Sequence, residues 1–574
     1  MAILTLTNDD AGVIVPIGGA ATWRIFGTDG IDTLEVAAGT SVSFGGQAGV
    51  DVVKLMAAST DYTVTLSGSS ALFIHTATGK TVSMPVTSEG DTVQFTNGPP
   101  LTLKGGAAGV LLGTQVISGA SNAAVSGFGS TTTSPGALTL LAQAAAFSVQ
   151  NNGMDALLPP SDVSVQALTS GRKWANTNIT YNFSTSVPAD YSGVSSENTT
   201  SGNLSSNWSA LNQTENSVAR QAFVNVSSFT SLRFFEVAGT GGDIRFNVVS
   251  MVDPIVGFAY YPGSGLGGDV FLDSRNRTPS AYTAGSEAYM TVFHELGHAL
   301  GLKHPFEPPK VLSTADDNYT NTIMSYTPGR TLLLNFGYSD GRLTAQPSYG
   351  AVPASFSLID VASLQAVYGA NTAYNTGNNV YTLSYDQHTY LTIWDTGGND
   401  TLSAANATGN STIDLRPGYD SSLDVRTIAQ LQAASQAYYR SIGVSGADTF
   451  VASVYANPAR ASSLYTGENN VAIAHGVWIE NAITGNGHDM VLDNKLNNTI
   501  ITGSGDDLVQ LFDGGFDLVD GGAGRDTVQF NNTQNQFKTE KQADGSYLIV
   551  GTYFAAKLIG IENLQYLDGT MALA

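Results

Sequence analysis

Between residues 484 and 530 the sequence reads TGNGHDMVLDNKLNNTIITGSGDDLVQLFDGGFDLVDGGAGRDTVQF, and an Asp or Asn recurs at 489, 498, 507, 517 and 526. The step is nine residues, slipping once to ten. In the better copies the Asp follows Gly-x and precedes x-aliphatic, as in GHDMV, GDDLV and GRDTV. Self-similarity at a short fixed period is the mark of an architecture in which each copy stacks on the next. A Gly-rich solenoid or a stack of hairpins satisfies it, with Asp serving the turns. The acidic spacing also suits divalent cations, which carboxylate and carbonyl oxygens bind. The 493–501 copy, DNKLNNTII, has no Gly and substitutes Asn.

Composition extends that reading. A chain of 574 residues is too long for one core, and about three domains are expected. With 63 Gly and only 12% charged residues, much of it reads as β-structure with tight turns. A net charge of −23 argues against nucleic acid and anionic membrane as partners, and bound divalent cations would offset part of it. The absence of Cys excludes disulfides, Cys-ligated zinc and thiol catalysis. MAILTLTNDDAGVIV has no basic stretch before an apolar core, so a Sec signal is not expected. No apolar run reaches the length of a transmembrane segment.

Residues 1–120 alternate apolar and polar side chains between turns (SVSFGG, DYTVTLSG, KTVSMPV, DTVQFTNG), predicting an all-β accessory module. Its GTDGIDTLEV (27–36) and GGQAGVDVVKL (45–55) each carry Gly-x-Asp-x-aliphatic. A linker is expected over 121–160, with a tether at 121–136 and a short helix at 138–150. Residues 161–370 mix strands (ITYNFS, DIRFNVV, GGDVFLD) with helices, one including 217–229. Gly-Asn-Asp turns dominate 371–574, apart from a helical insertion at about 421–468. There Ile428, Leu431, Tyr438 and Ile442 share one helical face.

The chain has seven His, and three of them fall in HELGHALGLKH. His294 and His298, four apart on a helix, project from one face one turn apart. Glu295 stands beside the first, where its carboxylate reaches the water on a metal without being a ligand. Gly301 permits the left-handed turn that ends the helix. His304 then returns as a third ligand, and Pro305 stops the helix from resuming. Three neutral imidazoles with an open fourth position suit a catalytic zinc. His75, His388, His475 and His488 lack partners at useful spacing and read as ordinary polar residues.

HELGHALGLKH resembles the zinc signature of metzincin peptidases, HExxHxxGxxH. NTIMSYTPG resembles the family's Met-turn, with Met324 beneath the metal, and the MSY form is similar to serralysins and astacins. The resemblance gives Tyr326 a place near the zinc, hydrogen-bonding the tetrahedral intermediate. ITYNFS, FFEVAGTGGDIRF, FAYYPGS, GGDVFLD, DVASLQAVYGAN, WDTGGNDTL and IAHGVWIENAITGNG look like serralysins in particular, over roughly 165–420 and 469–570. It implies an α+β metzincin domain, a mixed sheet with a long zinc-binding helix, and Glu295 as general base. It also implies an edge strand that pairs with extended substrate, for which Gly267, Gly268, Asp269 and Val270 are the matching candidates. The activity implied is a broad-specificity endopeptidase acting on protein and peptide substrates.

The 484–530 repeat resembles the GGxGxDxUx nonapeptide of RTX calcium-binding parallel β-rolls, each copy one turn and one short strand. Candidate calcium residues are Asp400, Asp489, Asp507, Asp517 and Asp526, with Gly485, Gly487, Gly503, Gly505, Gly522 and Gly524. A few structural Ca²⁺ are expected beside one catalytic Zn²⁺, in a protein that orders where calcium is plentiful, outside the cell. In the family such a roll precedes a C-terminal signal for the type I secretion machinery. This chain ends LDGTMALA, without the acidic residue often found there. Residues 1–120 are not a usual element of that family. Three readings stand: attachment to a cell-surface component, a folded appendage, and inhibition with Asp155 capping the zinc. The competing reading of the whole is a non-enzymatic RTX surface or adhesive protein with a relic zinc site.

Overall fold

The computed structural model describes residues 157–573 except Asn276 and Tyr553. Of the first 124 it describes 2–5, 14–17, 22–26, 33–38, 40–45, 51–67, 70–86, 91–96, 100–106, 109–112, 115–117 and 123–124. The expected helix at 138–150, most of the tether, and Asp155 lie outside the described residues. The chain divides into two compact units, Met1–Leu140 and Leu141–Ala574.

The strands of the first unit lie in two seven-stranded sheets. Six of them, from Ala2–Thr5 to Val52–Met56, alternate between the sheets and pair in parallel. Trp23 faces Val42 in one sheet and Thr33 faces Val52 in the other, nineteen residues apart each time. From Tyr62 onwards most pairings are antiparallel. The period-two pattern makes this work: Val53 and Leu55 are fully buried while Val52 and Lys54 are half-exposed. Ala123–Ala124, expected in the tether, is a strand on Tyr62–Ser67. The all-β expectation matches the structure, and the parallel winding is new information.

In the second unit a five-stranded sheet runs in the order Arg233–Glu236, Asn178–Phe183, Ile244–Val249, Asp269–Asp273, Gly257–Ala259. All pairings are parallel except the last. The helix Gln213–Phe229 begins at a capping box in which Asn212 and Glu215 bond each other's backbone N–H. It buries Val218, Ala222, Phe223 and Val226 at helical spacing against the sheet. The helix Glu287–Ala299 is buried along nearly its whole length and carries the histidine motif.

The sheet order corrects one expectation. Asp269–Asp273 lies between two strands, so it has no free edge for a substrate. The reason is chemical: Asp269 is 1% exposed and its carboxylate holds Arg245, at 2.6 and 2.7 Å, and the Tyr191 hydroxyl, at 2.9 Å. Gly267 and Gly268 serve the turn before that strand, and Val270 is core. The edge belongs to Gly257–Ala259.

Beyond Ala370 the strands form sheets of eight and nine, and from Asn481 to Phe530 successive strands alternate between them. Met490 pairs with Leu508 and Leu508 with Thr527, all in parallel. One nine-residue copy is therefore half a coil. The last strands turn antiparallel, in Lys538–Lys541, Tyr547–Val550 and Gly569–Ala572. A single hydrophobic cluster runs from Val292 and Leu296 of the histidine helix to Val491, Val509 and Val528 of the coils. The insertion begins as a strand, Asp420–Val425, and becomes helical over Ile428–Ser441, Ala447–Tyr455 and Pro458–Ala461. In the helix Ile428–Ser441 the fully buried residue is Tyr439, while Tyr438 and the following Ile442 are exposed. The partner that decides this is a hairpin, Leu332–Ser339 with Arg342–Tyr349, whose Gly337 and Thr344 carbonyls both accept from the Tyr439 hydroxyl at 2.9 Å.

Candidate metal centre and catalytic cleft

The histidine helix ends where the sequence dictates. Gly301 adopts φ +100°, and a β-carbon there would run into the Arg172 carbonyl, so the chain can turn back only with glycine. The returning segment brings His304 beside His294 and His298. One ligand-type atom from each lies within 4.8 Å of the others, the only such convergence among the described residues.

Each imidazole is held by its Nδ1. His294 Nδ1 is 2.8 Å from the Ile323 carbonyl, His298 Nδ1 is 2.7 Å from the Leu302 carbonyl, and His304 Nδ1 is 2.6 Å from Glu307 Oε1. Donation from Nδ1 leaves Nε2 as the lone-pair atom. The Nε2 atoms point inward, His298 and His304 coming within 3.1 Å. Burial pushes the His294 pKa down to about 4 and that of His298 well below its usual value, so both are neutral. Neutral, oriented imidazoles of this kind fit a zinc ion.

Glu295 is 4% exposed, and burial alone pushes its pKa up to about 8. Its Oε2 has no hydrogen-bond partner. A buried carboxylate oxygen without a partner is costly, and a cation with its water beside it would relieve that cost. Gly257 of the edge strand passes directly over this carboxylate.

Below the helix, Met324 is fully buried with its sulfur against Gly297. The turn is fixed by Asp360, which accepts from Thr322 Oγ1 at 2.6 Å and Ile323 N at 2.8 Å. Two residues on, Tyr326 is 62% exposed, and its hydroxyl lies 2.8 Å from His304 Nε2. A cleft of about 320 Å³ opens over His294, Glu295 and Tyr326.

The five candidate calcium Asp residues form lines along the coils. Asp489 Oδ1 accepts from Ser411 N, Asp507 from Asp489 N, Asp526 from Asp507 N, and Asp517 from Asn498 N. Glu480 and Glu562 cap the same lines by accepting from Asp400 N and Asp526 N at 2.7 Å. In all five Asp residues the other oxygen, Oδ2, is buried without a partner. Such orphaned oxygens fit a hard cation between neighbouring turns. Gly487, Gly505 and Gly524 take φ of +140° to +146°. A β-carbon on Gly505 or Gly524 would strike the carbonyl of the glycine one coil below. Gly503 and Gly522 are likewise left-handed, at +86° and +75°, and Gly485 packs against the Ala404 carbonyl.

Sequence reasoning missed Glu307, Gly257, Asp360, Glu480 and Glu562. An acidic residue three places after the last ligand was the one available signal, for Glu307; the others act through contacts distant in sequence.

Residues 173–323 match the family described as Matrixin, and residues 432–546 match Peptidase M10 serralysin C terminal. The second match takes in much of the helical insertion. Similar proteins include Serralysin C of Dickeya chrysanthemi, 30% identical over 41% of this chain and 42% of that protein. Metalloprotease AprA of Pseudomonas entomophila is 27% identical over 58% of this chain and 63% of its own. Serralysin of Photorhabdus luminescens is 27% identical over 51% and 55%. The chain thus spans 42% to 63% of the length of these relatives. No helix among the described residues is long and apolar enough to cross a membrane.

Proposed function

We propose that this chain, a relative of the serralysins in both its catalytic and its C-terminal parts, is a zinc-dependent endopeptidase of the serralysin-type metzincin kind. The observation that carries the reading is the orphaned, buried Glu295 Oε2 beside three imidazoles whose Nδ1 atoms are already engaged. A relic site in an adhesive protein would have no reason to keep that arrangement. His294, His298 and His304 would hold the ion, which would supply Lewis-acid polarisation of the scissile carbonyl and acidify the attacking water. Glu295 takes the proton from that water as general base and passes it to the leaving amine. Tyr326 is free to swing from His304 and donate its hydroxyl hydrogen to the developing oxyanion. The strand Gly257–Ala259, free on one side, pairs with the extended substrate backbone, which binds many sequences.

The coils hold a few structural calcium ions on the Asp400, Asp489, Asp507, Asp517 and Asp526 lines, an RTX-type roll. That places the working protein where calcium is plentiful, outside the cell, with type I secretion as the route. The first unit serves as a surface-attachment module. The test is digestion of a denatured protein substrate with and without a zinc chelator. Activity abolished by the chelator and restored by zinc is expected; digestion indifferent to it would overturn the reading.

A further inference from the structure

A second cavity, of about 480 Å³, adjoins the catalytic cleft and shares Val256, Met290, Thr291 and Tyr319 with it. The shared walls make the two spaces neighbours along one side of the histidine helix. Tyr349, at the base of the hairpin braced by the insertion, is among its lining residues, and Glu287 stands at the helix start. Among the described residues no Lys or Arg lines this space. Its other carboxylate, Asp273, is already engaged by Arg275 and the Met251 N–H. Glu287 has no such cation.

An acid in the first turn suits the helix dipole, and that alone accounts for a carboxylate here. It does not account for a cavity with largely apolar walls, three tyrosine rings (Tyr282, Tyr319 and Tyr349) and one uncompensated charge, beside the catalytic cleft. Glu287 lies eight residues before Glu295, about 12 Å along the helix at 1.5 Å per residue. A side chain carried by a residue next to the scissile bond must be long to span that distance. Its stem would lie on Val256 and Met290, its head between the tyrosine rings and the carboxylate. Glu287 is exposed as a residue, yet partial desolvation of its carboxyl against the cavity wall holds it above the usual carboxylate range.

We propose that this cavity is a specificity subsite for a Lys or Arg side chain of the substrate, with Glu287 as its recognition group. The inference rests on the peptidase reading above and adds a side-chain preference to backbone pairing. The test is digestion of a proteome-derived peptide mixture by the full chain, loaded with zinc and calcium, with every cut mapped by mass spectrometry. Basic residues should be enriched at one fixed position relative to the cut. In Glu287→Gln the ratio of kcat/KM for a Lys-containing peptide to that for its Met counterpart should fall about fivefold, as for a solvent-accessible ion pair. In Glu287→Lys the preference should turn to acidic residues. Because each ratio is measured within one preparation, differences in folded fraction cancel. Chelator-sensitive cutting without basic enrichment, or an unchanged ratio in Glu287→Gln, overturns the subsite alone. No cutting by the wild-type chain overturns the subsite and the peptidase reading together.

Discussion

Gly257 and Glu295 are in such close register that a β-carbon on the glycine would stand 2.7 Å from Glu295 Oε1 and 2.9 Å from its Cγ. The edge strand and the proposed general base thus share one small space. Gly257→Ala should displace the carboxylate while leaving the histidines in place. We expect kcat/KM to fall about 10- to 100-fold, the range for a reacting group moved by about 1 Å, with zinc content unchanged. Wild-type kinetics in this variant would show that the strand does not set the position of Glu295.

Glu307 accepts from His304 Nδ1 at 2.6 Å, while Phe306 stacks on the same ring at 5.1 Å. Removing the charge in Glu307→Gln should weaken zinc retention about 10- to 100-fold, the usual effect of losing a carboxylate behind a ligating imidazole. Competition against a chromogenic chelator reads this without any activity assay. An unchanged zinc affinity would reduce Glu307 to a surface residue.

The roll carboxylates set a pH dependence. Burial pushes Asp400 up to about 8 and Asp526 up to about 6, and like-charged neighbours add to both. Protons kept in the fold are lost first from the unfolded chain. Stability in chelator is therefore fully present below about pH 4 and drains as the pH climbs through 6 to 8. On the proposed calcium reading the ion takes the place of those protons, so its stabilising effect should grow over the same interval. Thermal melting of the full chain at pH 5 and pH 8, with calcium and with chelator, checks the sign. A chelated protein that melts higher at pH 8 would contradict it.

Gly505 and Gly545 offer a matched pair. Both have positive φ, but a β-carbon on Gly505 would meet the Gly487 carbonyl, whereas at Gly545 nothing lies within 4 Å. Gly545→Ala should cost about 1 kcal/mol of backbone strain. Gly505→Ala should cost more, about 3 kcal/mol, because the coils must also part. Equal losses in calorimetry would mean that the coils do not stack as tightly as the glycine ladder requires.

The histidine cluster was legible because all its parts are local: helix spacing, a glycine stop and a third histidine within eleven positions. The coils were legible through their period. The edge strand was not, since GGDVFLD read as the strand for the substrate and only the pairing order shows that Gly257–Ala259 lies outside it. Tyr439 was missed for a related reason. Periodicity favoured the face with Tyr438 and Ile442, but the hairpin 332–349 that covers the helix lies far away in sequence. The parallel winding of the first unit hid behind short, irregular Gly-Asp copies whose common step appears only in the register.

The measurement closest to the central claim is a Glu295→Gln comparison. The variant keeps the size of the side chain and all three histidines, so it should bind one zinc per chain like the wild type. Its hydrolysis of an unfolded protein should drop at least about a hundredfold, the lower bound for losing a general base. Full zinc occupancy with that loss is the predicted result; full occupancy with undiminished hydrolysis would contradict the account.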